Sequence, residues 1–104
     1  MQFEMTLQQV RYILEISRYS SISKAAQELY LTQPYLSSML KELENELHIT
    51  IFNRTRKGVK LTEEGKAFLR DAQQIVAISE RAKKRFDSAM PGSIQLLTLG
   101  FYNF

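Results

Sequence analysis

The 104-residue sequence contains no cysteine and a single histidine, His48. The missing cysteine excludes disulfides and leaves no thiolate for catalysis or for a metal. One histidine cannot build a metal site unaided, so neither a metal nor another cofactor is expected. There is no glycine-rich phosphate loop and no carboxylate pair placed in an obvious cleft, which leaves an enzyme poorly supported. No run is long and apolar enough to span a membrane, and the N-terminus lacks a basic stretch followed by an apolar one. These absences point to a soluble, cytoplasmic protein that acts by binding.

What is present is a chain with 44% hydrophobic residues. That is enough for one domain, or one small domain plus an appendage, with a modest core. The net charge of +3 is only mildly basic. Its placement says more. Arg54, Arg56, Lys57 and Lys60 cluster in one short segment, whereas Glu42, Glu44 and Glu46 gather just before it. A basic cluster of this kind fits phosphate contact; a solvated loop is the plainer alternative.

Thr6 and Gln9 have the spacing of a capping box. Leu7, Val10, Ile13, Leu14 and Ser17 follow with helical period, predicting a helix from Leu7 to about Arg18. Tyr19 to Ser21 form a connection. Ser23 is the expected N-cap of a short second helix, with Ala25, Ala26 and Leu29 on one face and Tyr30-Leu31 at its end. Thr32 is the expected N-cap of the third helix, with Pro34 in its first turn, where a missing N–H costs little. Leu36, Leu40, Leu43 and Leu47 form an inward stripe, and Gln33, Tyr35, Ser37, Ser38 and Lys41 lie off it. Two helices joined this tightly, the first rich in alanine, have the helix-turn-helix pattern. An ordinary helical hairpin with solvated polar residues has the same spacing.

After this pair, Ile49, Thr50 and Ile51 favour an extended chain. Ile51 and Phe52 are expected to close the core. Gly58 permits a reversal, and Val59 to Leu61 return as a short strand, giving a two-stranded hairpin. His48 reads as a surface or helix-end residue. Thr62 caps a long last helix, with Glu63 and Glu64 in the first turn, where the macrodipole favours negative charge. Phe68, Ala72, Ile75, Ser79, Ala82 and Phe86 recur at spacings of 4, 3, 4, 3 and 4, a heptad seam widened by Leu69, Val76 and Lys83. Arg81, Lys83, Lys84 and Arg85 place positive charge near its far end. Such a helix is too long for so small a domain to cover. The seam implies a partner helix, most simply from a second copy; a helix folded back on its own core is the alternative. Pro91-Gly92 ends the helix, and Ser93 to Phe104 is apolar with strand-like alternation.

The stretch from Ser23 to Leu69 resembles the DNA-binding region of the bacterial LysR-type transcriptional regulators. The matching pieces are Ser-x-Ala-Ala at 23–26, Thr-Gln-Pro at 32–34, Leu-Ser at 36–37, Leu-Glu at 43–44, Leu-x-x-x-x-Phe-x-Arg at 47–54 and Gly-Val-x-Leu-Thr-x-x-Gly at 58–65. Each is weak alone; their order and spacing over roughly 80 residues, starting near Thr6, are specific. The resemblance implies a mainly α fold with a small two-stranded β wing: a winged helix-turn-helix over 1–61, a linker or dimerisation helix over 62–90, and a tail over 91–104 like the start of an effector-binding domain. The chain is then either a cut fragment or a natural truncation, and its tail is expected to pack on the linker helix or pair with a neighbouring chain.

The implied partner is double-stranded DNA, bound at an interrupted inverted repeat by a homodimer joined through antiparallel linker helices, with a higher oligomer in full-length proteins. Candidate base or near-base contacts are Thr32, Gln33, Pro34, Tyr35, Ser37 and Ser38, and Ser23 belongs to the same surface. Lys24, Lys41, Arg54, Arg56, Lys57 and Lys60 are the phosphate candidates, with Arg54 alternatively holding the wing to the helix. The seam residues Phe68 to Phe86 carry dimerisation. Three positions depart from the family pattern. Ser38 stands where arginine is common, which predicts less reliance on guanine. Met39 replaces a polar residue and is expected to pack, and Tyr35 replaces alanine. Glycine is also common near Ser20, so that loop is expected to turn differently. A winged-helix protein-interaction module that does not bind DNA is the rival reading, and architectural, non-specific DNA binding is a weaker third.

Overall fold

The computed structural model describes residues 4–89, with side-chain environments given up to Asp87. The expectations for residues 91–104 lie outside the described residues. In order, the elements are α1 (Leu7–Tyr19), α2 (Ile22–Glu28), α3 (Gln33–Leu47), β1 (Phe52–Arg54), β2 (Val59–Leu61) and α4 (Glu63–Ala89). The fold is mainly α with a two-stranded antiparallel wing, as expected.

Local chemistry sets the helix starts. Thr6 and Gln9 exchange both bonds of the capping box, at 2.8 and 3.1 Å. The Thr32 hydroxyl accepts the Tyr35 N–H at 3.2 Å, and Pro34 sits in the first turn. The Thr62 hydroxyl accepts the Gly65 N–H at 2.8 Å at the start of α4. The start of α2 differs from the expectation. Ser21, not Ser23, is its N-cap, accepting the Lys24 N–H at 3.0 Å. Either serine can cap; burial decides. Beginning at Ile22 places Ile22, Ala25 and Ala26 on one inward face, all buried, and leaves Ser23 exposed in the first turn.

Three helix ends use a left-handed residue that is not glycine: Ser20, Tyr30 and His48, with φ of 52, 59 and 59°. After α2, the Tyr30 N–H reaches the Gln27 carbonyl at 3.2 Å and the Leu31 N–H reaches that of Ala26 at 2.8 Å. This is a Schellman closure, and it ends α2 at Glu28, earlier than the Tyr30-Leu31 boundary expected. The Ile49 N–H likewise returns to the Glu44 carbonyl at 3.1 Å, so His48 is a helix-end residue, as read from the sequence.

The core lies where α1, α2 and α3 meet the root of the wing. Ile13, Ile16, Leu36, Leu43 and Ile51 are fully buried, and Phe52 and Val59 seal the wing onto them. Met39 is buried, matching the expectation that it packs. Phe52 pairs with Leu61, Asn53 with Lys60 and Arg54 with Val59. Pairing begins at Phe52 rather than at Ile49, because the N–H groups of Ile51 and Phe52 go instead to the Glu44 carboxylate.

The first half of α4 packs on α1 and the core. Ala72 is fully buried, Phe68, Leu69, Val76 and Ser79 are half-buried, and Arg11 bonds Glu80 at 3.0 Å. From Glu80 to Asp87 every side chain is exposed. The expected seam is therefore shared. Phe68 and Ala72 are turned to the protein's own domain, whereas Ile75, Ala82 and Phe86 are exposed, joined by Ile78, which the heptad reading did not name. No helix among the described residues is long and apolar enough to cross a membrane.

Candidate nucleic-acid interface

A helix N-terminus that presents polar side chains to a groove must be exposed there and anchored behind. In α3 both conditions hold. Leu36, Met39, Leu40 and Leu43 anchor it in the core, while Gln33, Pro34, Tyr35 and Ser38 are exposed. The cap leaves Thr32 exposed as well, with its hydroxyl oxygen occupied by the Tyr35 N–H. Ser37 is half-buried beneath the guanidinium of Arg54, whose Nη2 donates to the Ser37 hydroxyl at 3.0 Å. That bond joins β1 to the second turn of α3 and realises the tethering alternative for Arg54.

The wing is tied at two further points. The Glu44 carboxylate, near the end of α3, accepts from the Ile51 and Phe52 N–H groups at 2.7 and 3.2 Å. The Ser20 carbonyl, at the end of α1, accepts from the Val59 N–H at 3.0 Å. Gly58 passes so close to Ser20 that a Cβ there would stand 2.2 Å from the Ser20 oxygen, and its φ of 151° disfavours any other residue. Gly65 is equally confined, since its Cβ would stand 2.1 Å from the Ile51 oxygen. The wing is a pre-set finger, fixed to α1 and twice to α3.

On this frame stand the six cationic candidates. Lys24 opens α2, Lys41 lies on α3, Arg54 and Lys60 stand on the two strands opposite Val59 and Asn53, and Arg56 and Lys57 occupy the tip, where the Lys57 N–H bonds the Thr55 hydroxyl at 3.3 Å. All six are exposed. The ion pairs among the described residues use Arg11, Arg18 and Lys66 and none of these six. Among the described residues their charge is thus not paired, the condition under which phosphate contact releases counterions with little internal rearrangement.

The sequence reading missed two carboxylates. In the sequence Glu44 reads only as one of an acidic group and as part of a matched motif, although its two bonds place the wing. Glu46 accepts the Met5 N–H at 3.1 Å, leaving its other oxygen buried without a partner among the described residues. Glu46 reaches 41 residues back along the chain, which leaves no local signal. Glu44 bonds backbone only seven and eight residues on. There a β-branched run reads as strand, whereas the structure bends it onto a helix.

Comparison with known proteins agrees with this geometry. The family model for bacterial regulatory helix-turn-helix proteins of the lysR family matches residues 7–66. The HTH-type transcriptional regulator BudR of Klebsiella aerogenes is 36% identical over 96 residues, covering 92% of this chain and 67% of BudR. The regulator TfdT of Cupriavidus pinatubonensis is 33% identical over 98 residues, but the chain spans only 43% of its length. Among solved structures, the CbnR_DBD–DNA complex superposes with a TM-score of 0.77 at 29% identity, covering 82% of this chain and 98% of that one. The BenM_DBD/benA site 1 DNA complex gives 0.78 at 30% identity, covering 82% and 96%. Helix order, wing and matched span coincide from the first helix into the last, and on that agreement the chain belongs to the lysR family of bacterial regulatory helix-turn-helix proteins.

Proposed function

We propose that this chain is the DNA-reading part of a transcriptional regulator, binding an interrupted inverted repeat as a dimer in the bacterial cytoplasm. The N-terminal turns of α3 enter a major groove. Gln33 reads a base edge, adenine being its bidentate partner, and Ser38 serves as a short polar neighbour. Thr32, Pro34 and Tyr35 line the entry. Ser23 and Lys24 flank it from α2, Lys41 from α3, and Arg56, Lys57 and Lys60 hold phosphates from the wing. Arg54 positions the wing through Ser37. The observation that carries this reading is the exposed start of α3 together with six exposed cations on α2, α3 and the wing, none of them in an ion pair among the described residues.

Dimerisation uses the exposed stripe of Ile75, Ile78, Ala82 and Phe86 on the outer side of α4. The two-fold axis then sets the spacing of the half-sites. The similar proteins, which include transcriptional regulators and DNA-binding domains solved on DNA, support the same reading. In-vitro selection from random duplex followed by gel retardation tests it. An enriched inverted repeat with salt-dependent retardation is expected. A protein-docking module, which would use the same α4 stripe, gives no retardation at any salt.

A further inference from the structure

Tyr30 combines two features that the protomer itself does not reward. Its backbone is left-handed, with φ 59°, where a bulky side chain is an outlier. Its side chain is 95% exposed, and its hydroxyl has no partner among the described residues. A residue of this kind is normally replaced by glycine or asparagine at a helix end. Ser20 and His48 share that backbone at the other helix ends, but Tyr30 carries the bulkiest of the three side chains and leaves nearly all of it in solvent, so its side chain is the one available to serve a site.

The place of Tyr30 indicates which site. It lies two residues before Thr32, the cap of α3, and six after Lys24. The backbone beneath it is fixed by the closure bonds to Gln27 and Ala26, so the phenol projects from a fixed point in the turn that leads into α3. A phenol hydroxyl donates well to a phosphate oxygen, and its ring covers deoxyribose without adding charge.

We propose that Tyr30 is a sugar–phosphate contact of the bound duplex, its hydroxyl donating to a phosphate oxygen beside the groove that α3 enters. This rests on the DNA-binding reading above. The contact holds register and carries no sequence preference of its own.

The test compares the wild-type chain with Tyr30→Asn and Tyr30→Phe, using thermal melting and retardation of the selected duplex and of random duplex across a salt series. Tyr30→Asn is expected to melt higher, because asparagine accepts the left-handed backbone. It is nevertheless expected to bind both duplexes about threefold to tenfold more weakly per protomer. Tyr30→Phe is expected to lose a similar factor with unchanged melting. In both variants the slope of log affinity against log salt stays at the wild-type value, since a neutral donor releases no counterion. Wild-type affinity in either variant overturns the assignment, as does a flattened salt slope. If the wild-type chain retards no duplex, the DNA reading itself fails. Loss of affinity alongside a lower melting temperature in Tyr30→Asn also overturns the proposal, because a structural role then suffices.

Discussion

Replacing Gly58 with alanine separates the wing from the helices that present it. The added Cβ falls 2.2 Å from the Ser20 carbonyl oxygen, a backbone atom that cannot swing aside, and the φ of 151° is closed to alanine. The hairpin must lift, and lifting breaks the 3.0 Å bond from the Val59 N–H to Ser20. Backbone strain of about 1–3 kcal/mol and one lost hydrogen bond of about 1 kcal/mol give a destabilisation of about 2–4 kcal/mol. The wing can escape most of that by detaching locally while the helices hold together. Arg56, Lys57 and Lys60 would then leave together the phosphates proposed for them. Each neutralised phosphate contributes about 0.9 to the salt slope, so the slope of log affinity against log salt should flatten by about 2.7 per protomer. Fluorescence anisotropy on the selected duplex between low and moderate salt measures this, with urea titration of the free protein beside it. Lys57→Ala serves as the calibrating control, flattening the slope by about one contact and weakening all sequences alike. A Gly58→Ala protein with the wild-type urea midpoint and the wild-type slope would refute the claim that the wing hangs from α1.

Gln33→Ala should cost about 1–3 kcal/mol on the selected site and much less on random duplex; intact site discrimination in competition binding removes Gln33 from direct readout. His48→Gly should stabilise the fold by about 0.5–1 kcal/mol, because glycine relieves the left-handed backbone and returns part of the gain as unfolded-state entropy; a lower urea midpoint contradicts this. Ile78→Asp, on the exposed side of α4, should shift the protein to monomer in sedimentation while leaving helix content unchanged, and a stable dimer would move the interface elsewhere.

The parts of the fold that were legible in the sequence are those with a local signal. Thr6, Thr32 and Thr62 each precede a helical period, and each is a cap in the structure. The four-helix order with a wing followed from these caps, from Gly58 and from the order of the matched motifs. Ser21 and Ser23 have the same chemistry, so only the burial of Ile22 decides between them. The heptad period of α4 identifies a face but not its neighbour. It could not say that Phe68 and Ala72 are covered by the protein's own domain while Ile75 and Phe86 remain open. The candidate contacts of α3 and the wing were nameable because exposure at a helix start and in a basic loop is local. Glu44 and Ser20, which hold the wing, act through backbone groups brought near by folding, and composition carries no trace of that.

Because α1 rests along the first half of α4 and bears the hairpin on the Ser20 carbonyl, the wing, the three short helices and the first half of α4 form one packed body. Moving a half-site by a single base pair displaces it by about 3.4 Å and turns it by about 35° around the duplex axis. A unit so braced has no internal joint to absorb such a step. In the proposed dimer, tolerance for altered operator spacing would then come from bending of the nucleic acid, from the outer half of α4 or from slippage between the two α4 helices.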